Sequence, residues 1–186
     1  MDIALRAPEA AARALIRDAC GETHARLDQR LSGFDFDDRR AYTKLLSRLS
    51  GPVSALEMAL TDYGPLLAPD FLARMRSLSL LRDLRDLGGV FHAQRVEPIE
   101  DEAAAFGALY VLEGSRLGGR VLARRADEST DPDVRGATRF FRHAEKAGHW
   151  QTFLSALEAS DAVRAHPTRA IGGALSAFAL FEAAFA

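Results

Sequence analysis

Hydrophobic residues recur along this chain at the spacing of helices. The clearest instance is a residue at every fourth position, at Leu15, Ala19, Thr23, Leu27 and Leu31. This period is that of one helix face rather than of a strand. Runs of β-branched residues are scarce, and no internal repeat or low-complexity linker interrupts the pattern. The sequence therefore predicts an all-α fold, a helical bundle in one domain over residues 1–186.

Glycine and proline residues set the expected ends of the helices. The first helix is expected from about Pro8 to Gly33, and a second from Asp35 or Asp37 to a break at Gly51–Pro52. Later breaks are expected at Gly64–Pro65, at Gly88–Gly89 and in the loop 127–133, so that 68–87 forms one helix. Residues 90–98 are the one extended segment predicted, a long helix with an acidic first turn follows them, and two or three helices close the chain.

Charge and composition exclude several classes of partner. The 186 residues hold 24 basic and 26 acidic side chains, for a net charge of -2, whereas nucleic-acid-binding proteins carry a basic stripe. Cys20 is the only cysteine, so no intrachain disulfide forms and a reducing cytoplasm is the expected compartment. No apolar window has the length of a membrane span. We expect a cytoplasmic monomer without nucleic-acid or membrane partners.

Glycines interrupt the long helix at helical spacing. Gly107, Val111, Gly114 and Gly118 are separated by four, three and four residues, which places them on one side of the helix. Each interior glycine costs about 0.5–1 kcal/mol relative to alanine, so some other interaction compensates. Two interpretations remain open at this point, namely close packing of another helix and a ligand lying against the backbone.

A histidine and a cation share one side of the first helix. His24 lies one turn after Cys20 and three residues before Leu27, so we expect it on the apolar side of the helix. A lone histidine there is either a hydrogen-bonded core residue or a ligand. Arg17 precedes His24 by seven residues and lies on nearly the same side. The pair suits an iron porphyrin, because imidazole binds iron and a cation pairs with a carboxylate at the ring edge.

Three segments together resemble a known family. The segments "LIRDACGETHARLD" at 15–28, "ALYVLEGSRLGGRVL" at 108–122 and "AFALFEAAF" at 177–185 resemble heme oxygenases, most closely the bacterial members found beside bacteriophytochromes. The resemblance implies a heme sandwiched between a proximal helix and a kinked distal helix. It implies that His24 is the axial iron ligand and that Arg17 lies near a propionate.

The same resemblance assigns the distal side. Gly114 and Gly118 match the glycines at which the distal helix of the family kinks over the heme. Ser115 stands where many members carry an aspartate that organises distal water, and it is the expected substitute. Gly114, Ser115 and Gly118 are thus the expected catalytic positions.

The implied function is the oxidative ring opening of heme to biliverdin, carbon monoxide and ferrous iron. Heme would be both substrate and cofactor, O2 the oxidant and an external donor protein or reductase the source of electrons. A bacteriophytochrome would be the acceptor of biliverdin. Because the distal aspartate is missing, the alternative is a non-catalytic heme carrier or sensor on the same fold, and a third alternative is a heme-free helical interaction protein.

Other candidate residues receive structural interpretations. His143, Glu145 and His149 are interpreted as a solvated face rather than a metal site, since a third well-spaced ligand is missing. The aromatic residues Phe140, Phe141, Trp150 and Phe153 are assigned to the core. Cys20 is assigned to packing as a small hydrophobic residue.

Overall fold

The computed structural model describes residues 11–143 and 148–186, and within these residues the chain forms helices and no strand. The helices are α1 Ala12–Ser32, α2 Arg39–Ala59, α3 Gly64–Leu67, α4 Phe71–Arg74, α5 Ser77–Asp86, α6 Glu102–Asp127, α7 Pro132–Gly136, α8 Arg139–Arg142, α9 His149–Ala159, α10 Asp161–Ala165 and α11 Pro167–Ala184. The predicted all-α fold is confirmed. The predicted start of the first helix near Pro8 lies outside the described residues.

Helix α2 continues through the predicted break at Gly51–Pro52. That prediction is wrong, because α2 runs unbroken from Arg39 to Ala59. Proline removes one backbone donor from a helix, but tertiary packing surrounds this turn. Ser50 Oγ accepts a hydrogen bond from the His92 N–H at 2.8 Å. A Cβ on Gly51 would lie 2.9 Å from Gln94 Oε1. The segment 90–100 thus packs directly on the turn that contains the proline.

The prediction of a single helix over 68–87 is also wrong. The chain forms α4 and α5 there, separated by Met75, whose backbone is extended with a ψ of 137°. Glu57 of α2 decides where α5 begins, because its carboxylate accepts the backbone N–H groups of Arg76 at 2.6 Å and Ser77 at 3.0 Å. A carboxylate at the first turn satisfies the unpaired donors of a helix N-terminus.

Helix α6 is the longest helix and crosses α11 with almost no space between the backbones. Asp101 caps its start by accepting the Ala104 N–H at 2.9 Å. A Cβ on Gly107 would lie 1.8 Å from the Ala170 carbonyl oxygen, and one on Gly173 would lie 2.0 Å from the Ala104 carbonyl oxygen. Glycines on both helices therefore permit the crossing. Residues 90–100, before α6, form neither helix nor strand, and the extended backbone expected for 90–98 stays a prediction.

Helix α1 packs on α11 and α9 rather than on α6. Its buried side chains are Ile16, Cys20 and Leu27, so the packing role expected for Cys20 is confirmed. Arg26 Nε donates to Glu182 of α11 at 2.9 Å. Within the ranges that the structure describes, no helix is both long and apolar enough to cross a membrane.

Candidate functional site

Helix α6 meets the turn after α1 at one end and shares the neighbour Trp150 with α1 at the other. At one end Arg125 of α6 donates to the Phe34 carbonyl oxygen, just after α1, at 2.7 Å. At the other end the Trp150 ring lies 5.5 Å from the Tyr110 ring of α6 and 5.9 Å from the guanidinium carbon of Arg13 of α1.

Between these ends both helices present glycines to open space. A Cβ on Gly21 of α1 or on Gly118 of α6 would meet no atom within 4 Å. Leu117 and Val121 of α6 are exposed beside Gly118. We group Gly21, His24, Gly114 and Gly118 as the proposed α1–α6 cleft. Its apolar and glycine-lined side is suited to a flat apolar ligand.

His24 lies at the margin of the buried stripe of α1 rather than within it. Its side chain is 58% exposed, so the expectation that it projects from the apolar side is wrong. The reason is that the buried stripe passes through Ile16, Cys20 and Leu27, whereas His24 lies beside Phe178 of α11, with ring centroids 5.8 Å apart.

The contacts of His24 fit an iron ligand. The imidazole Nδ1 lies 3.3 Å from Asp28 Oδ2, and Nε2 has no partner among the residues that the structure describes. A neutral ring with its proton on Nδ1, facing the carboxylate, keeps a lone pair on Nε2. Histidines that bind metals commonly direct the other nitrogen at a carboxylate in this way. The residues present therefore fit a heme iron on the open side of α1.

Arg17 lies on the same exposed side of α1 as His24. Its guanidinium is exposed and donates to the carboxylate of Asp18 at 2.9 Å. An exposed ion pair of this kind contributes about 0–1 kcal/mol, so Arg17 can exchange Asp18 for another anion at little cost. Tyr110 is a candidate that the sequence analysis did not assign. Its ring lies 5.5 Å from that of Trp150.

The residues that share one side of α6, Gly107, Val111, Gly114 and Gly118, have two kinds of surroundings. Gly107 packs against the backbone of α11, as described above, and Val111 is buried. Gly114 faces only the indole of Trp150, at 3.9 Å, and Gly118 faces open space. Helix packing is thus the correct interpretation for Gly107, whereas no protein atom explains Gly118. Helix α6 is continuous over its whole length, and its kink over a bound heme stays a prediction.

Ser115 follows Gly114 and connects α6 to the start of α5. Its Oγ accepts a hydrogen bond from Arg76 at 2.8 Å and donates one to the Leu112 carbonyl oxygen at 2.7 Å. Arg76 was missed by the sequence analysis, because an arginine among leucines is normally read as part of a solvated helix face. No local signal distinguishes it from the exposed Arg82 and Arg85 of α5.

Behind α6, charged residues form a buried cluster that the sequence also did not reveal. Glu113 is 1% exposed and bonds Arg74 at 3.1 Å and Arg116 at 2.9 Å. Arg116 also donates to the Arg74 carbonyl oxygen at 2.6 Å. Glu57 and Arg76 share with these residues a cavity of about 10 Å³, the space of one water molecule. The cluster fixes the side of α6 that faces away from the α1–α6 cleft.

The remaining sequence candidates do not form a second site. Glu145 lies outside the described residues, and no three metal-ligating side chains converge within 11–143 and 148–186. Burial lowers the pKa of His149, whose Nδ1 is buried and has no hydrogen-bond partner in the described structure. The core assignment is confirmed for Phe140, Phe141 and Phe153, whereas Trp150 is only partly buried.

Comparison with known proteins agrees with the geometry. The family model of heme oxygenases matches residues 10–186. A heme oxygenase of Xanthomonas campestris pv. campestris (strain 8004) is 35% identical over 151 residues, which cover 80% of this chain and 91% of that protein. The chain belongs to the heme oxygenase family. The family implies heme as a ligand and a heme-degrading oxidoreductase as the function, as the sequence resemblance predicted.

A solved structure shows the same fold. The NO- and CO-bound heme oxygenase from Neisseria meningitidis matches with a TM-score of 0.73 and 23% sequence identity. The match covers 95% of this chain and 91% of that one. The helical architecture of this member is thus that of a known heme oxygenase.

Proposed function

We propose that the α1–α6 cleft holds heme and that His24 is its axial ligand. The observation that carries the proposal is the unpartnered Nε2 of His24 on the open side of α1, with Asp28 behind the ring. The reaction is the ring opening of heme to biliverdin, carbon monoxide and ferrous iron, with O2 and with electrons from an external donor. Heme, when bound, supplies the redox chemistry and is also the substrate.

On the proximal side, the chain would orient the His24 imidazole and hold the propionate edge of the heme. Asp28 Oδ2, 3.3 Å from Nδ1, would favour the proton on Nδ1, and Phe178 packs against the ring edge-on, at 5.8 Å. We assign Arg17 and the hydroxyl of Tyr110 to one end of the α1–α6 cleft, where they would pair with a propionate by charge-assisted hydrogen bonds.

On the distal side, the chain contributes space and one hydroxyl. Gly118 would leave room for a planar ring and a diatomic molecule, because a Cβ there meets no atom within 4 Å. Gly114 keeps α6 free of side chains on the same side. The "EGS" segment, residues 113–115, has two polar side chains. Glu113 is buried, whereas Ser115 is exposed. Its oxygen can accept a hydrogen bond from water.

The setting of this reaction is a cytoplasmic monomer. The single cysteine is buried and requires no oxidising compartment. Electrons come from a donor protein or reductase, and a bacteriophytochrome is the proposed acceptor of biliverdin because of the resemblance to that group of bacterial heme oxygenases.

An optical titration tests the proposed function. Purified protein is titrated with hemin, and the complex is then followed in air after adding a reductant in the presence of catalase. A saturable Soret band that decays into the biliverdin band supports ring opening. A Soret band that persists indicates a carrier or sensor instead, and the absence of any band indicates a heme-free helical protein.

His24→Ala tests the axial ligand. The variant should fold normally, because the side chain is 58% exposed, but its hemin complex should lose the wild-type Soret position and all turnover. The exposed His166 provides the control, and His166→Ala should leave both unchanged. Turnover by His24→Ala at the wild-type rate would exclude His24 as the ligand.

A further inference from the structure

A groove lies between the first half of α2 and the segment 87–92 that follows α5. Its volume is about 460 Å³, which is within the range of about 300–1,000 Å³ that small-molecule sites occupy. We call it the α2 groove. One wall comes from α2 and the other from residues 87–90 and His92. The α2 residues that line it are Arg39, Arg40, Thr43, Lys44 and Ser47.

The segment that forms the second wall is held at both ends. Gly88, with a φ of 69°, turns the chain out of α5, a conformation that favours glycine. The N–H of Gly89 donates to the Leu84 carbonyl oxygen at 2.8 Å. A Cβ on Gly89 would lie 2.6 Å from Thr43 Cγ2, so glycine lets the segment lie directly against α2. The hydrogen bond to Ser50 described above holds the other end, and the groove is therefore formed before a ligand binds.

The α2 groove carries positive charge that the protein leaves unpaired. Arg40 and Lys44 line it one helical turn apart, and neither side chain has an ion-pair or hydrogen-bond partner in the described part of the chain. Like charges four residues apart on a helix are destabilising. The third cation, Arg39, is already paired with Asp131 and Asp133. An anion in the groove would remove the repulsion between Arg40 and Lys44.

The carboxylates closest in sequence to the two walls have other partners. Asp38 is the N-cap of α2, and its carboxylate accepts the backbone N–H of Arg40 at 2.8 Å. Asp86, at the end of α5, pairs with Arg139 at 2.7 Å and with Arg85 at 3.5 Å. Among the residues that the structure describes, no carboxylate lines the groove. The groove therefore selects for negative charge in a ligand.

The other lining groups indicate what kind of anion fits. The Ser47 hydroxyl has no hydrogen-bond partner within the described ranges and can donate to an oxyanion. A phosphate group accepts several hydrogen bonds and pairs with both arginine and lysine. Leu87 and Val90 add an apolar edge, and Val90 is 61% exposed. Exposed apolar side chains beside the cations suit a ligand that has an organic part as well as a charged one.

We propose that the α2 groove binds the phosphate group of a small organic molecule. Arg40 and Lys44 pair with the phosphate, and the organic part lies against Leu87 and Val90. Binding is non-covalent. The site is independent of the proposed function, because none of its lining residues is assigned to the α1–α6 cleft.

Calorimetric titration of the purified protein with phenyl phosphate tests the site. At pH 8 this probe is a dianion, since the second pKa of a phosphate monoester is about 6, and the ionic strength is kept constant. We expect saturable binding at one site. Inorganic phosphate should bind about fivefold more weakly, because it lacks the ring that covers Leu87 and Val90. Benzoate, which keeps a ring but has one charge, should also bind about fivefold more weakly.

Variants at exposed residues identify the groups that bind. Arg40→Gln and Lys44→Gln should each weaken phenyl phosphate binding about fivefold, the upper end for an exposed ion pair. Arg82→Gln is the matched control, because it removes one charge from an exposed residue that does not line the groove, and its Kd should stay at the wild-type value. Val90→Thr keeps the side-chain shape and should weaken binding of phenyl phosphate but not of inorganic phosphate. The melting temperature should be unchanged in all four variants.

Four results would overturn the proposal. The first is the absence of saturable phenyl phosphate binding, and the second is equally tight binding of inorganic phosphate. The third is an equal loss of affinity in Arg82→Gln, which would indicate a response to net charge alone. The fourth is competition by hemin, which would place the phosphate in the α1–α6 cleft. Failure of the proposed function is recognised separately, because it is read from the Soret and biliverdin bands.

Discussion

At the scale of single residues, the glycines of α6 serve two opposite purposes. Gly107 is needed because another backbone occupies the place of its side chain, whereas Gly118 faces space that no protein atom fills. The same residue type at the same helical spacing therefore has two physical causes. Substitution by alanine separates them.

Gly107→Ala should destabilise the protein, and Gly118→Ala should not. The new methyl group at Gly107 would lie 1.8 Å from the Ala170 carbonyl oxygen, so α6 and α11 must move apart at a cost of about 1–3 kcal/mol or more. At Gly118 alanine meets nothing, and its helix propensity should add about 0.5–1 kcal/mol of stability. Denaturant unfolding measures both, and equal effects would contradict the assignment.

A larger side chain at Gly118 should affect the reaction more than the fold. Gly118→Leu places a branched side chain in the α1–α6 cleft, so we expect at least a tenfold loss of kcat with a smaller change in hemin Kd. Gly172 of α11 also faces open space, and Gly172→Leu is the size-matched control. A wild-type rate in Gly118→Leu would mean that the ligand does not lie against this part of α6.

At the scale of elements, α6 depends on its N-cap. Asp101 accepts the Ala104 N–H and pairs with Arg169, and these two contacts hold its pKa below the ordinary value of 3.8. A carboxyl whose pKa is lowered on folding contributes stability above its ordinary pKa, and that contribution is lost as pH falls through the lowered value.

Asp101 variants test this contribution. Asp101→Ala removes the cap and should lower the free energy of unfolding at pH 7 by about 1 kcal/mol. Asp101→Asn keeps an acceptor but cannot titrate, so its difference from wild type should shrink as the pH falls below about 4, the ordinary range of this carboxyl. Asp161→Asn, at an exposed residue paired only with Arg164, is the control. A pH-independent difference for Asp101→Asn would show that its charge is not involved.

At the scale of the whole molecule, α11 is the element that connects the two sides of the cleft. It crosses α6 through Gly107 and Gly173 and packs along α1 through Glu182 and Phe178. The two helices that would hold heme are thus joined mainly through a third helix. A ligand bound to both of them would add a direct connection to the hydrogen bonds that Arg125 of α6 donates to the carbonyl oxygens of Ser32 and Phe34.

Hemin should therefore raise the melting temperature. A ligand at one hundred times its Kd stabilises a folded protein by about 2.7 kcal/mol, which for a chain of this length corresponds to roughly 5–10 °C. Thermal unfolding followed by far-ultraviolet circular dichroism measures the shift. The shift should be smaller for His24→Ala at the same hemin concentration, and equal shifts would indicate binding that does not use His24.

Helix periodicity and the resemblance of three segments predicted the fold class and the family. These signals are local, because residues three and four apart share a helix face wherever the helix packs. The predictions at Gly51–Pro52 and over 68–87 were wrong because these helix ends are not decided locally. The turn at Pro52 is enclosed by residues 90–100, and α5 begins where Glu57 supplies an acceptor. Both depend on contacts between distant parts of the chain.

For the candidate site, too, some features follow from the sequence and others only from the tertiary structure. The sequence by itself determined that His24 and Arg17 share one side of α1 and that Gly114 and Gly118 share one side of α6. Only the tertiary structure decided that His24 is exposed, that Gly107 is a packing residue and that Arg76 reaches Ser115 from 39 residues away. Spacing along one helix fixes which side chains are neighbours on it, whereas the packing of helices against each other fixes what each of those sides meets.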